Sequence, residues 1–217
     1  MKLILVRHGE TDWVHRKLYQ GMTDVPLNPR GLIQAKHVAQ AIKREQPFAV
    51  YCSKLVRVRK TAQLIAAACR QKPIVDARLN EVSFGKWEGR AIHDIRSRFP
   101  KAVDDWYEAR WDSRPTGGES LKSLAKRVSS FMNQIFKKHG RRDGTCVLVT
   151  HGGPIRMILI QLLQIPVGLF WQMRVDPASI SVVNVKGQKH EIVLLNSQAH
   201  LNGFRTTWTT EEKERNK

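Results

Sequence analysis

The chain has 217 residues, 41% of them apolar, enough for a sizeable core and too many for an intrinsically disordered protein. Lysine and arginine number 37 against 19 aspartates and glutamates, and the resulting +18 points to anionic partners: phosphorylated metabolites, nucleic acid or anionic surfaces. No apolar run approaches the roughly 20 residues of a membrane span. Three cysteines (Cys52, Cys69, Cys146) without a CxxC spacing argue against a disulfide scaffold or a thiolate zinc site, and for a reducing, cytoplasmic compartment.

In chain order, Lys2–Val6 reads as a short buried strand, since its apolar run is too short for the core of a signal peptide. Asn28-Pro29 has the form of an N-cap followed by proline at the first helical position. Leu32, Ala35, Val38, Ala39 and Ile42 then fall at helical spacing, which predicts a helix over about 29–45. Phe48–Cys52 is the second expected strand and Leu55–Cys69 the next helix. The stretch from Pro73 to Gly89 is rich in turn formers and reads as irregular. Ile92–Phe99 and Val103–Arg110 are expected to be short helices, with a break at 114–118. Leu121, Leu124, Ala125, Val128, Phe131, Met132, Ile135 and Phe136 form the cleanest helical stripe in the chain. Cys146–Thr150 reads as a strand, followed by a helix from about Pro154 to Leu163. Ser179–Val185 and Ile192–Leu195 flank Lys186-Gly187-Gln188 as a hairpin. This order predicts one domain over 1–204 of α/β class, a mostly parallel sheet flanked by helices on both faces, with a polar tail over 205–217.

In such a sheet, ligands bind beyond the carboxyl ends of the strands. Two of those ends carry matching signatures, Arg7-His8-Gly9-Glu10-Thr11 and Thr150-His151-Gly152-Gly153. The glycines allow close backbone approach. A third strand end leads through Ser53-Lys54 to Arg57. Two arginines and two histidines converging without an acid suit a phosphoryl group, because guanidinium binds tetrahedral oxyanions through paired hydrogen bonds. Neutral histidine is also a competent nucleophile toward phosphorus. A proton donor for the leaving group is still required, and Glu81 in Leu79-Asn80-Glu81-Val82 is a candidate. The remaining histidines (15, 37, 93, 139, 190, 200) read as surface or packing residues. A basic nucleic-acid-binding module is the reading of another class, although no RNP-like run, zinc-finger spacing or basic zipper accompanies the scattered basic residues.

The chain resembles the histidine phosphatase superfamily, in its phosphoglycerate-mutase-like branch. Leu5–Thr11 carries the signature. Tyr19-Gln20-Gly21, Asp24–Asn28, Gly31–Ala35, Ser53–Arg57 with Thr61-Ala62, Glu81 with Phe84–Gly89, Gly118-Glu119-Ser120 with Arg127, and Val149–Gly153 follow in the family's order. The resemblance spans about residues 2–200. It implies a three-layer sandwich and a metal-independent phosphomonoesterase without cofactor. By it, His8 is the nucleophile that becomes phosphohistidine and Glu81 the proton donor. Arg7, Arg57 and His151 would bind the phosphoryl oxygens; Gln20, Gly21 and Gly152 would line the substrate side. Small phosphorylated metabolites are the expected partners, with nucleic acid bound only non-specifically, no membrane, and a monomer or homodimer as the assembly.

Two departures fall on the phosphate rim. The family usually has asparagine at position 14 and Gly-Arg at 17 and 18, where this chain has Val14 and Lys17-Leu18. The expectation is either weaker phosphate binding or a stand-in from Lys17 or His15. Mutases of the family carry a covering insertion after the glutamate motif. Here only 70 positions separate Glu81 from His151, and three expected helices fill them, which favours hydrolysis over phosphoglycerate mutase action; fructose-2,6-bisphosphatase-like activity stays an alternative. For the substrate, Phe170–Asp176 and Leu195-Asn196-Ser197 are similar to α-ribazole-5′-phosphate phosphatases. Trp13, Trp87, Trp106 and Tyr107 would wall a nucleotide-like leaving group, or else belong to the core, as helical tryptophans more often do.

Overall fold

The computed structural model describes residues 1–187 and 189–205. Alternation along its buried strands creates two apolar faces. Strands β1 (Lys2–Arg7), β2 (Ala49–Cys52) and β4 (Thr145–Thr150) send Leu3, Leu5, Tyr51, Cys146 and Leu148 to one side. Ile4, Val6, Val50, Cys52, Val147 and Val149 go to the other. Helices α2 (Pro29–Lys43) and α3 (Val56–Ala68) cover the second face with Val38, Ile42, Val58, Ala62 and Ile65. Helices α6 (Leu121–His139) and α7 (Gly152–Leu163) cover the first, joined by α4 (Ile92–Arg98) and α5 (Pro100–Tyr107). The stripe on α6 is the one the periodicity marks. Leu124, Val128, Phe131, Met132 and Ile135 are all buried, each worth about 1.5–3 kcal/mol in transfer terms.

The six-stranded sheet runs β3-β2-β4-β1-β5-β6, where β3 is Pro73–Val75, β5 is Ile180–Lys186 and β6 is Lys189–Ser197. The pairs β3–β2, β2–β4 and β4–β1 are parallel, whereas β5 and β6 form the antiparallel hairpin expected from the turn residues. The mostly parallel α/β fold therefore stands, and Cys52, Cys69 and Cys146 are free thiols.

Three local expectations are corrected and one unpredicted element is added. Pro73–Val75, read as irregular, is an edge strand with both Ile74 and Val75 exposed, so no buried run marks it. Asp12–His15 forms a short helix, α1, because Thr11 caps it by accepting from the Val14 N–H. Helix α5 begins at Pro100 rather than Val103 and stops at Tyr107, with Ala109 in the left-handed region (φ 52°). Helix α7 begins two residues before Pro154, with His151 as its N-cap. The expected tail lies outside the described residues beyond Arg205. Among the described residues, no helix is long and apolar enough to cross a membrane.

Candidate active site

Register places the two histidines side by side. β1 pairs with β4 so that Arg7 lies opposite Thr150, and the His8 N–H donates to the Thr150 carbonyl at 3.1 Å. The two imidazoles follow immediately, their ring centroids 5.1 Å apart at 66°. Both are buried. His8 Nδ1 lies 2.7 Å from the Gly9 carbonyl, which can only accept, so Nδ1 carries the proton and Nε2 the lone pair. His151 Nε2 lies 2.8 Å from Ser53 Oγ, at the end of β2. Ser53 Oγ already accepts from the Leu55 N–H at 3.4 Å and is placed to donate its own proton to Nε2. That tautomer leaves Nδ1–H as a buried donor without a partner.

Arg57 stands in the first turn of α3, fully buried. Its Nη1 donates to the Thr23 carbonyl at 2.8 Å and its Nη2 to the Gly21 carbonyl at 2.7 Å, while Nε has no partner. Arg7 Nη1 donates to the Val175 carbonyl at 2.6 Å. Backbone carbonyls thus orient both guanidinium groups. Orphaned buried donors are rare in native proteins, so Arg57 Nε and His151 Nδ1 point to an anionic ligand. Burial holds both imidazoles well below the usual histidine pKa, and the positive charges of Arg57 and Arg7 push in the same direction. The rings are therefore neutral at neutral pH. Burial also lowers Arg57, to about 10, against the opposing effect of the Glu81, Asp24 and Glu88 carboxylates.

Glu81 reaches the same place from the loop between β3 and α4. Its Oε1 accepts from the N–H groups of Val82 (2.9 Å) and Gly153 (3.1 Å), the latter in the first turn of α7. A methyl group at position 153 would overlap that carboxylate, which is why glycine stands there. The loop is held from behind. Arg127 on α6 donates to the carbonyls of Arg78 (2.7 Å), Asn80 (2.6 Å) and Glu81 (3.0 Å), and Glu119 accepts from it at 2.8 Å. Thr150 Oγ1 adds a bond to the Leu79 carbonyl.

These groups open into a cavity of about 570 Å³. Arg7, His8, Gln20, Gly21, Arg57, Glu81 and Gly152 all line it, and His151 adjoins it through its ring contact with His8. Gln20 is fixed by accepting from Thr11 Oγ1 at 2.9 Å. Val14 and Lys17 line the rim; His15 does not, so Lys17 is the cation at hand where the usual rim is missing. The aromatic wall differs from expectation. Trp106 and Tyr107 belong to it, but Trp87 is core and Trp13 packs over Gly89. Tyr19, Phe84, Phe170 and Trp171 complete it. Arg156, whose guanidinium lies 4.9 Å from the Trp171 ring, and Arg174, paired with Asp176, are further lining residues that spacing did not single out. Arg156 lies one helical turn beyond Gly152, a spacing that could have revealed it. Among the described residues no three His, Cys, Asp or Glu side chains converge as metal ligands.

The model of the histidine phosphatase superfamily (branch 1) matches residues 3–198. The chain is 36% identical over 204 residues to phosphoserine phosphatase 1 of Hydrogenobacter thermophilus, covering 94% of this chain and 96% of the relative. It is 30% identical over 200 residues to the adenosylcobalamin/α-ribazole phosphatase of Salmonella typhimurium, covering 92% and 98%. A solved structure of a mutant phosphoserine phosphatase from Entamoeba histolytica, in complex with phosphoserine, matches with a TM-score of 0.83 at 27% identity, covering 92% and 98%. Sequence, fold and relatives agree: the chain belongs to the histidine phosphatase superfamily and is a phosphoric monoester hydrolase.

Proposed function

We propose that the protein hydrolyses small phosphate esters in two steps, with His8 as nucleophile and Glu81 as the acid and then the base. The observation that carries this reading is a neutral, oriented imidazole beside buried cationic and N–H donors, with the Glu81 carboxyl group against the same cavity and the other lining carboxylate, Asp176, paired with Arg174. In the first step the Nε2 lone pair of His8 attacks phosphorus and the P–O bond to the alcohol breaks. The departing oxygen takes the Glu81 proton. In the second, Glu81 removes a proton from water as the water oxygen bonds to phosphorus, the P–N bond breaks, and its electrons return to Nε2, releasing inorganic phosphate. Arg7, Arg57 and His151 Nδ1–H hold the phosphoryl oxygens throughout, where hydrogen bonds to developing charge count most. The test is chemical trapping: alkaline quench during turnover of p-nitrophenyl phosphate, then mass spectrometry. Phosphate on His8 is expected, and His8→Ala should lose both label and turnover, the latter by about 10⁴-fold or more. A fully active His8→Ala protein would overturn the mechanism.

For the alcohol, the wall of Tyr19, Phe84, Trp106, Tyr107 and Trp171 supports a ring-bearing leaving group such as that of α-ribazole 5′-phosphate. A second reading, phosphoserine, is supported by Lys17 and Arg156 on the cavity lining, which could meet a carboxylate, and by the relative at 36% identity. Relative kcat/KM for the two esters decides between them. Isomerisation of 3-phosphoglycerate that outpaces phosphate release would instead favour a mutase.

A further inference from the structure

We propose that Glu88 is a positioning residue for the reaction, acting on the phosphoryl group through the loop at 21–23 and Arg57; it rests on the reading of Arg57 as a phosphoryl ligand. Among the described residues no carboxylate hydrogen-bonds Arg57. Its plane is set by two backbone carbonyls, Gly21 at 2.7 Å and Thr23 at 2.8 Å. Those carbonyls need a rigid loop; the Thr23 N–H bond to the Gln20 carbonyl (3.1 Å) and the Asp24 carboxylate, which accepts from the Val56 N–H (2.7 Å), contribute, and one side chain ties it at several points. Glu88 Oε1 accepts from the N–H groups of Met22 (3.0 Å) and Phe84 (3.0 Å). Its Oε2 accepts from the Thr23 N–H (2.9 Å) and Thr23 Oγ1 (2.5 Å). Four donors meet one carboxylate, two of them from the residue whose carbonyl holds Nη1. Charge-assisted bonds of this kind are among the stronger ones.

Two further features fit. Gly21 has φ 54°, and a methyl group there would overlap the Glu88 carboxylate. Glu88 and the positive φ together favour glycine there, and besides lining the cavity it contributes its carbonyl to Arg57. Glu88 in turn is anchored by its neighbour, since Trp87 is wholly buried. Glutamine in place of glutamate keeps the size but presents an NH2 to backbone N–H donors, so part of the cradle must open.

Inorganic phosphate, the reaction product, is the probe. Its inhibition constant is measured for the wild type, Glu88→Gln, Arg57→Ala and the double variant, with melting temperature as the check on folding and p-nitrophenyl phosphate for KM and kcat. Expected are phosphate binding weaker by about tenfold in Glu88→Gln, a matching rise in KM, and less than a further twofold loss when Glu88→Gln is added to Arg57→Ala. If Glu88→Gln does not fold, Thr23→Val removes one of the four bonds and should weaken phosphate about threefold. Phosphate binding within twofold of wild type in the folded Glu88→Gln or Thr23→Val protein, or equal losses in both backgrounds, overturns the assignment of Glu88 alone. Unchanged phosphate binding in Arg57→Ala overturns the reading of Arg57 itself, and Glu88 with it.

Discussion

The two ends of the cavity are built by different means. At the inner end four of the groups are tied to main chain, in loops, at a strand end or in a helix first turn. His8 bonds to Gly9, Arg57 to Gly21 and Thr23, Arg7 to Val175, and Glu81 to Val82 and Gly153. At the outer end the wall is side chain on side chain: Tyr19 and Tyr107 share a hydroxyl–hydroxyl bond of 2.6 Å, and Trp171 lies edge-on to Trp106 at 5.4 Å while bonding its carbonyl. Backbone-fixed donors cannot adapt, which suits one invariant ligand, the phosphoryl group. Packed aromatic rings can be exchanged one at a time, which suits a leaving group that differs between relatives. Chemistry and specificity are therefore separable in this molecule.

Glu81→Gln is the hardest blow to that comparison. The amide keeps an acceptor for the N–H groups of Val82 and Gly153 but cannot give up a proton. General acid help is worth about 10²–10⁴-fold. The full loss is expected in kcat for alkyl esters, and a much smaller one in the first step with p-nitrophenyl phosphate, whose phenolate departs unprotonated. Single-turnover kinetics on both esters checks this; equal losses would remove Glu81 as the acid. Next comes the outer wall. Trp171→Ala should change the kcat/KM ratio between ring-bearing and short-chain esters by about tenfold, near 1.4 kcal/mol, and leave inhibition by inorganic phosphate within twofold. A uniform loss on every ester and on phosphate would show that the two ends are not separable.

The same division governs what could be read from sequence. Part of the inner end is legible from position, since His8 and His151 follow β1 and β4 and Arg57 opens α3, whereas Glu81 lies in a loop and is marked only by the family resemblance. Glycine 153, read as access for a ligand, owes its place to the Glu81 carboxylate, a contact across 72 residues that no local pattern encodes. The outer end was read less well. Trp87 and Trp106 look alike in sequence and both are buried, yet only Trp106 meets the cavity. Which side of a packed ring faces a cavity depends on how α5 docks against the turn at 167–172, and composition cannot show that. The edge strand β3 and the short helix α1 were missed for a simpler reason: three and four residues are too few for a period to appear.

Acid stability probes the inner end through its two buried histidines. His8 and His151 are held neutral in the fold, mainly by burial, whereas in the unfolded chain each takes a proton near pH 6.5. As pH falls below about 6.5 the unfolded state binds protons that the native state refuses, so stability drops by up to about 1.4 kcal/mol per pH unit for each ring. His139 and His200 are lowered as well, again mainly by burial, and act in the same direction. Urea unfolding between pH 7.5 and 5 should show this slope, and His8→Asn should make it shallower. An unchanged slope in that variant would mean that His8 already carries its proton in the fold.

Salt should have the smallest effect, and it separates encounter from chemistry. Five cations line the cavity (Arg7, Lys17, Arg57, Arg156 and Arg174) against two carboxylates, Glu81 and Asp176, while the chain as a whole carries +18. Most of the basic residues thus lie outside the cavity, where they act on a multiply charged ester only through space. That field is screened beyond about 8–10 Å at ordinary ionic strength. The buried contacts of Arg57 are shielded from mobile ions, so the bound complex should feel little of the change. Raising salt from 20 to 300 mM should therefore lower kcat/KM about two- to fivefold for a doubly charged ester and leave kcat almost flat. If kcat falls in parallel, the ions are reaching the inner end, and the backbone-fixed phosphoryl site is more open to solvent than its buried side chains indicate.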